Sequence, residues 1–270
     1  MKKKLYVSGP MRGYKNFNFP AFERATKLLR VAGYEVVSPH EMDLANGFNP
    51  KGEEPKGKEL GKMLLRDAEA VLECDGVAML DGWGDSAGAK WECALADLTD
   101  RECLLVNTWI NKSLPRIIGL TGPKGVGKTT FAKDMPRHRF SFADPLRAIM
   151  DVFLGQFDMS VENFDDNKEE KISNLGVSFR QAMQTLGTEW GRKHINPDVW
   201  VEAMESRLSR FYKDRIVIDD VRFPNEAEMI RARGGKIWRL SRKGFEPSGD
   251  SHVSEAGLPD ELIDGEVELV

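Results

Sequence analysis

The sequence predicts an α/β protein made of two parallel-sheet, three-layer domains, at residues 1–112 and 115–270. Three observations carry this. Short apolar runs of strand length alternate with segments whose apolar residues recur every three or four positions, the pattern of strands joined by crossover helices. The run Gly122-Pro123-Lys124-Gly125-Val126-Gly127-Lys128-Thr129-Thr130 fits the phosphate-loop spacing G-x-x-x-x-G-K-[ST], directly behind the apolar stretch 117–120 and ahead of a helix predicted over 129–133. Such loops usually follow the first strand of their domain, so a separate unit precedes this one. A length of 270 residues agrees, at roughly 150 per domain.

In the first domain, residues 5–8 form a short buried strand ending in the turn Gly9-Pro10. Phe19, Phe22, Ala25, Leu28 and Leu29 then recur at helical spacing until Gly33. Residues 34–38 read as a second strand closed by Pro39, and the Gly-, Pro- and Asn-rich stretch 46–58 as a loop. A helix over 59–73, a strand over 76–80, a loop over 81–88, a helix containing Glu92 and a strand over 103–106 complete it. Ligands of such sheets bind at the carboxyl ends of the strands, which here carry Ser8 to Gly13 and the loop 81–88.

In the second domain the strand 117–120 and its loop are followed by a strand over 139–143 and an apolar helix over 146–154 that stops at Gly155. Residues 158–174 are acidic and loop-like, and 162–170 reads most simply as a solvated connection. A helix over 178–194, interrupted near Gly187, a strand over 215–218 ending in Asp219-Asp220, and a strand over 235–240 follow. Trp190 and Trp200 are assigned to the core or a cleft wall, and His252, alone in a polar loop, to the surface.

Composition narrows the function class. A net charge of -4 argues against a surface that coats nucleic acid, although basic pockets for phosphate remain open. No run approaches a membrane span, and the apolar run behind Met1-Lys2-Lys3-Lys4 ends at Pro10, too early for a signal peptide. Cys74, Cys93 and Cys103 form no C-x-x-C pair, as suits a reducing compartment. The expectation is a cytoplasmic protein with no membrane or nucleic-acid partner, assembled as a homo-oligomer, a dimer.

The chemistry of the loop follows from its spacing. Gly122, Gly125 and Gly127 let backbone N–H groups, including those of Lys124, Val126, Lys128, Thr129 and Thr130, converge on a phosphate without a Cβ in the way. Lys128 reaches the β- and γ-phosphates, and the Thr129 hydroxyl can ligate Mg²⁺. An apolar strand ending in aspartate is the expected source of a carboxylate facing that ion; Asp219 and Asp220 both qualify by pattern.

Four further segments, Phe140-Ser141-Phe142-Ala143-Asp144-Pro145-Leu146, Gln184-Thr185-Leu186-Gly187-Thr188-Glu189, Asp220-Val221-Arg222-Phe223-Pro224-Asn225-Glu226 and Asp250-Ser251-His252-Val253-Ser254-Glu255, resemble the phage deoxynucleoside monophosphate kinases in order and approximate spacing. The resemblance implies a P-loop kinase fold and phosphoryl transfer from ATP·Mg²⁺ to a deoxynucleoside monophosphate (dNMP), in the cytoplasm of a phage-infected bacterial host. Asp144, Arg180 and Gln184 then lie toward the acceptor and Arg222 toward phosphate. Asp220, the position shared with the family, is preferred for the metal. A triphosphate and a monophosphate, both anionic, must be brought together, so Lys128, Arg222, Arg180 and Arg192 are the candidate cations.

In the first domain Tyr6-Val7-Ser8-Gly9-Pro10-Met11-Arg12-Gly13, Asp67 ahead of Asp75, and Ser86-Ala87-Gly88-Ala89-Lys90-Trp91-Glu92 resemble the nucleoside 2-deoxyribosyltransferase superfamily, which includes the 2′-deoxynucleoside 5′-monophosphate N-glycosidases. This implies a Rossmann-like domain in which Glu92 attacks the anomeric carbon. Asp67 serves acid/base and positioning roles, and Tyr6 orients the nucleophile or the sugar. Ser8, Gly9, Arg12, Gly13, Ser86 and Gly88 hold the substrate, chiefly its 5′-phosphate. Two carboxylates suit an oxocarbenium-like transition state. Pro10 stands where the N-glycosidases commonly carry a phosphate-binding serine, so nucleoside and monophosphate both remain candidate substrates. The implied protein is bifunctional; the alternative keeps the kinase and makes the front domain a non-catalytic nucleotide-binding or oligomerising module.

Overall fold

The computed structural model describes residues 2–165, 167–172, 175–245 and 257–269. The chain divides into two compact units, Met1–Leu114 and Pro115–Val270. Among the described residues no helix is long and apolar enough to cross a membrane. Each unit carries one all-parallel sheet with helices packed on it.

The first unit runs β1 (Lys4–Ser8), α1 (Phe19–Val31), β2 (Glu35–Val37), α2 (Pro39–Ala45), α3 (Gly57–Leu72), β3 (Gly76–Met79), α4 (Ala87–Leu98), β4 (Glu102–Leu105) and α5 (Val106–Ser113). The strand order is β2-β1-β3-β4. β1 and β3 are near-continuous apolar runs, as parallel strands covered on both faces require. The periodic residues of α1 are buried as expected, and α1 packs against α5 while α3 packs against α4. Two helices were not predicted. Pro39 opens α2 instead of merely closing the strand, because proline at a first helical position forfeits only an N–H that has no helical partner. Val106 likewise starts α5 rather than ending β4. The chain reverses direction of travel across the sheet at β1, so a crevice opens beyond the carboxyl ends of β1 and β3.

The second unit runs β5 (Ile117–Thr121), α6 (Lys128–Asp134), β6 (His138–Phe140), α7 (Asp144–Leu154), α8 (Phe179–Gln184), a π-helical stretch (Thr185–Ile195), α9 (Val199–Arg210), β7 (Ile216–Ile218), α10 (Pro224–Ala232), β8 (Lys236–Arg242) and β9 (Gly265–Leu269). The strand order is β6-β7-β5-β8-β9. β9 was absent from the sequence reading; its alternation of acidic exposed residues with buried Val267 and Leu269 is that of an edge strand. β6 is shorter than predicted. The chain leaves the sheet at Ser141 because the Asp220 carboxylate takes the backbone N–H groups of Phe142 (2.7 Å) and Ala143 (2.9 Å).

The acidic segment also departs from expectation. Val161 and Phe164 form a 3-10 turn, and with Ile172 they are buried against α7 and α8, Phe164 stacking on Phe179 at 5.0 Å and 6°. Phe164 is thus a packed anchor within the expected connection, whose other described residues between 162 and 170 are exposed. The motif at 250–255, with His252, lies outside the described residues.

The helix predicted to break at Gly187 instead continues with π geometry. The indole N–H of Trp200, a buried cavity-wall residue, donates to the Gly187 carbonyl (2.8 Å), and its ring lies so close to the helix that a Cβ on Gly191 would sit 2.5 Å from it. Trp190 is largely exposed. Gly191→Ala should therefore destabilise the chain by about 1–3 kcal/mol, the usual cost of overpacking. Thermal unfolding measures this, and an unchanged Tm would mean that Trp200 moves aside freely.

Candidate functional sites

In the first unit the crevice is lined by Gly9, Arg12, Asp67, Ser86, Gly88 and Glu92 among others. Glu92, on α4, is buried (7% exposed). Its Oε1 accepts from the Tyr6 hydroxyl (3.2 Å) and its Oε2 from the Ser8 hydroxyl. Both donors come from the inner face of β1 and are themselves fully buried. Burial pushes Glu92 up to about 7, and the Asp67 charge adds to the rise against the two hydroxyls. Burial, then the charge of Glu92, holds Tyr6 well above its ordinary range, so the phenol is a donor throughout neutral pH.

Asp67 lies on α3, facing the same crevice. Arg66 donates to its Oδ1 from Nε (3.0 Å) and Nη2 (2.7 Å), and also to Asp43 on α2 (2.7 Å). Burial raises both carboxyls, against the pull of that guanidinium. One guanidinium is thus shared by two crevice acids, whereas the Glu92 oxygens accept from two hydroxyls. The two carboxylates are accordingly in different electrostatic settings, as acid–base division of labour requires.

Two of the expected substrate contacts are differently placed. Ser8 is wholly buried, with its hydroxyl committed to Glu92, so it supports the carboxylate rather than lining the crevice. Gly13 is not on the crevice wall; its N–H donates to the Glu54 carboxylate (3.0 Å). The sequence reading missed Arg66 and Asp43, although Arg66 adjoins Asp67 in sequence. It also missed Phe17 as a wall residue. Asn16, Phe17 and Asn18 are all left-handed (φ 52°, 51° and 58°), a costly run for residues with side chains, fixed in part by the Asn18 side-chain amide donating to the Pro10 carbonyl (2.9 Å). That turn places Phe17 on the crevice wall, edge-on to Phe48.

In the second unit the loop behind β5 has its glycines where side chains cannot go. Gly122 (φ +135°) would place a Cβ 2.4 Å from the Leu240 carbonyl oxygen, and Gly125 and Gly127 are also left-handed. Val126 is fully buried, whereas Thr129 and Thr130 are exposed at the start of α6. The Lys128 ammonium reaches back over the loop to the carbonyls of Gly122 (2.7 Å) and Pro123 (2.9 Å).

A neighbouring cavity is walled by Phe142, Phe179, Trp200 and Phe223 and carries five cations, Arg147, Lys168, Arg180, Arg192 and Arg222, with Gln184. Among the described residues its acids are Asp220 and Glu226. Burial, then the adjacent Asp219, raises Asp220 against hydrogen bonds from the Ser141 hydroxyl (2.5 Å) and two backbone N–H groups. Burial and the Asp220 charge push Glu226 up to about 7, against its ion pair with Arg192. Glu226 also accepts the N–H groups of Arg222 (2.7 Å) and Phe223 (3.1 Å), fixing the chain between β7 and α10 from which Arg222 projects.

Asp219 pairs with Arg139 (2.9 Å), leaving Asp220 as the aspartate on the cavity. Asp144, expected at the acceptor, is not on the cavity wall; it accepts from Ser141 N (3.0 Å) and from Arg207, tying the start of α7 to α9. Lys168, Arg147 and Glu226 were not singled out in the sequence. Lys168 lies in the stretch read as solvated and is exposed there, yet it lines the wall, its carbonyl accepting from Arg180 N (2.8 Å).

The chain matches two family models: a domain of unknown function, DUF4406, over residues 3–104, and the deoxynucleotide monophosphate kinase model over residues 150–267. It is 34% identical over 162 residues to a protein of Acanthamoeba polyphaga mimivirus provisionally named a deoxynucleotide monophosphate kinase, covering 53% of this chain and 81% of that one. It is 24% identical over 220 residues to the deoxynucleoside-5′-monophosphate kinase of Escherichia phage T5, covering 56% and 88%. A solved 2-deoxyribosyltransferase from Bacillus psychrosaccharolyticus aligns with 41% of this chain and 82% of its own at 24% identity, with a TM-score of 0.29, too slight a likeness to carry an argument. The mimiviral match, at its identity and over most of that relative's length, decides the kinship: the chain belongs to the deoxynucleotide monophosphate kinase family.

Proposed function

We propose that the second unit transfers the γ-phosphoryl group of ATP to a dNMP, and that the first cleaves or transfers at the N-glycosidic bond of a deoxynucleotide. The observation that carries the kinase reading is an aromatic-walled cavity bearing five cations beside a glycine loop that only glycine can form. Rings suit a base and sugar; clustered guanidinium groups suit phosphate. The loop holds the donor phosphates, with Lys128 exchanging its carbonyl partners for them. Arg180 and Arg222 hold the acceptor, and Gln184 faces its polar edge. Positioning and charge stabilisation supply most of what phosphoryl transfer needs.

Mg²⁺ fits the residues present. Thr129 offers an exposed hydroxyl, and Asp220 Oδ1 accepts one hydrogen bond and keeps a lone pair; Mg²⁺ takes few protein ligands and completes its shell with phosphate and water. It would neutralise charge on the transferring group.

For the first unit, support comes from Glu92 facing a crevice with Asp67. Ionised Glu92 attacks the anomeric carbon or stabilises positive charge there, Tyr6 and Ser8 hold its oxygens, and Asp67 manages protons at the leaving base. Assaying ADP formation and base release separately across a panel of normal and modified dNMPs tests both halves. Base release only with an added acceptor base makes the first unit a transferase. No base release from any deoxynucleotide or deoxynucleoside leaves it a binding module.

A pH dependence follows. A nucleophilic carboxylate must be ionised, and burial holds Glu92 near 7, so kcat/KM for base release should rise with pH up to about 7 and then level. A profile flat from pH 5 to 8 would remove Glu92 as the group that must ionise.

A further inference from the structure

Glu169 stands between the two phosphate sites of the second unit. Its Oε1 accepts from the ammonium of Lys124, inside the glycine loop, at 2.8 Å and from Nε of Arg180, on the cavity wall, at 2.5 Å. Those two cations together hold its carboxyl below the usual range. The segment bearing it is anchored by backbone bonds: Arg180 N donates to the Lys168 carbonyl (2.8 Å) and Phe179 N to that of Glu170 (3.0 Å). One carboxylate oxygen therefore occupies a cation of the donor side and a cation of the acceptor side at once.

We infer that Glu169 couples the two substrates: it is an internal anion that either phosphate must displace, and its displacement by one nucleotide frees the cation needed by the other. This rests on the kinase reading above. Donor phosphates arriving at the loop attract Lys124 and repel Glu169 by like charge. Glu169 then leaves Arg180, and an acceptor phosphate meets a guanidinium already released. The linkage is reciprocal. The Glu169 side chain is 59% exposed, so water and salt screen the contact and the coupling belongs at the lower end of the usual range, about five-fold. Without Glu169 only repulsion between the two bound phosphates remains, which opposes joint binding.

The test is calorimetric titration of the full chain with dAMP, dCMP, dGMP and dTMP, with and without magnesium β,γ-imido-ATP, for wild type, Glu169→Gln and Glu169→Ala. In wild type the analogue should tighten binding of the accepted dNMP about five-fold. In both variants the dNMP should bind more tightly in the absence of the analogue, and the enhancement should vanish or reverse. Equal dNMP affinity with and without the analogue in wild type overturns the inference, as does an enhancement of the same size in both variants; the kinase reading survives either result. If wild type binds no dNMP and no ATP analogue, the kinase reading falls and takes the inference with it.

Discussion

Lys128→Ala is expected to lower the rate of dNMP phosphorylation by ~10² or more, because it removes a preorganised cation from the group in transfer. The structure sharpens the expectation. The Lys128 ammonium caps two carbonyls of its own loop, at Gly122 and Pro123, so the variant loses loop closure as well as charge. Lys128→Met retains the stem while removing the ammonium and separates the two effects. If charge at the transferring phosphate dominates, both variants fall together in kcat. The fold should stand, since β5 and the surrounding core do not depend on the ammonium. Near-normal turnover in a folded Lys128→Ala protein would remove the phosphate-transfer reading of the loop.

Glu92→Ala should abolish base release while leaving phosphorylation within a few-fold of wild type. The two activities are proposed for different compact units with separate sheets. Removing Glu92 also strands the hydroxyls of Tyr6 and Ser8, both buried, which costs stability of the first unit. Glu92→Gln keeps an acceptor for one hydroxyl and nearly the same volume, so it tests nucleophilicity with less damage. Base release near the wild-type rate in a folded Glu92→Gln protein would exclude covalent attack by this side chain. Loss of phosphorylation along with base release would instead show that the first unit supports the second.

Much of this protein was legible in its sequence. The spacing of glycines around Lys128, the alternation of apolar runs and the periodic residues of α1 each encode local structure, and local rules suffice where backbone geometry dictates residue type. Gly122 is such a position: the left-handed φ and the Leu240 carbonyl admit no side chain. The resemblances singled out Tyr6, Asp67 and Glu92; Asp67 and Glu92 line one crevice, and Tyr6, buried behind it, donates to Glu92.

What the sequence alone left undecided depended on partners remote along the chain. Arg66, beside Asp67 on α3, also pairs with Asp43 on α2, a partner 23 residues away that its sequence position does not announce. Asp219 and Asp220 both qualified for the metal by pattern, and the resemblance put Asp144 toward the acceptor. Tertiary packing gave Asp144 to Arg207 and set Asp220 beneath the turn it holds, with one edge on the cavity. The acidic stretch was legible in part: apart from Phe164, its described residues between 162 and 170 are exposed as expected. Its charge does not reveal that Val161, Phe164 and Ile172 find buried partners on α7 and α8, or that Lys168 lines the cavity and Glu169 bridges Lys124 and Arg180. A side chain's type fixes what chemistry it can do; whether a carboxylate becomes a nucleophile, a brace or a stand-in for phosphate is set by the charges and dipoles that the fold brings within a few ångströms of it, because burial strengthens those interactions and water elsewhere screens them.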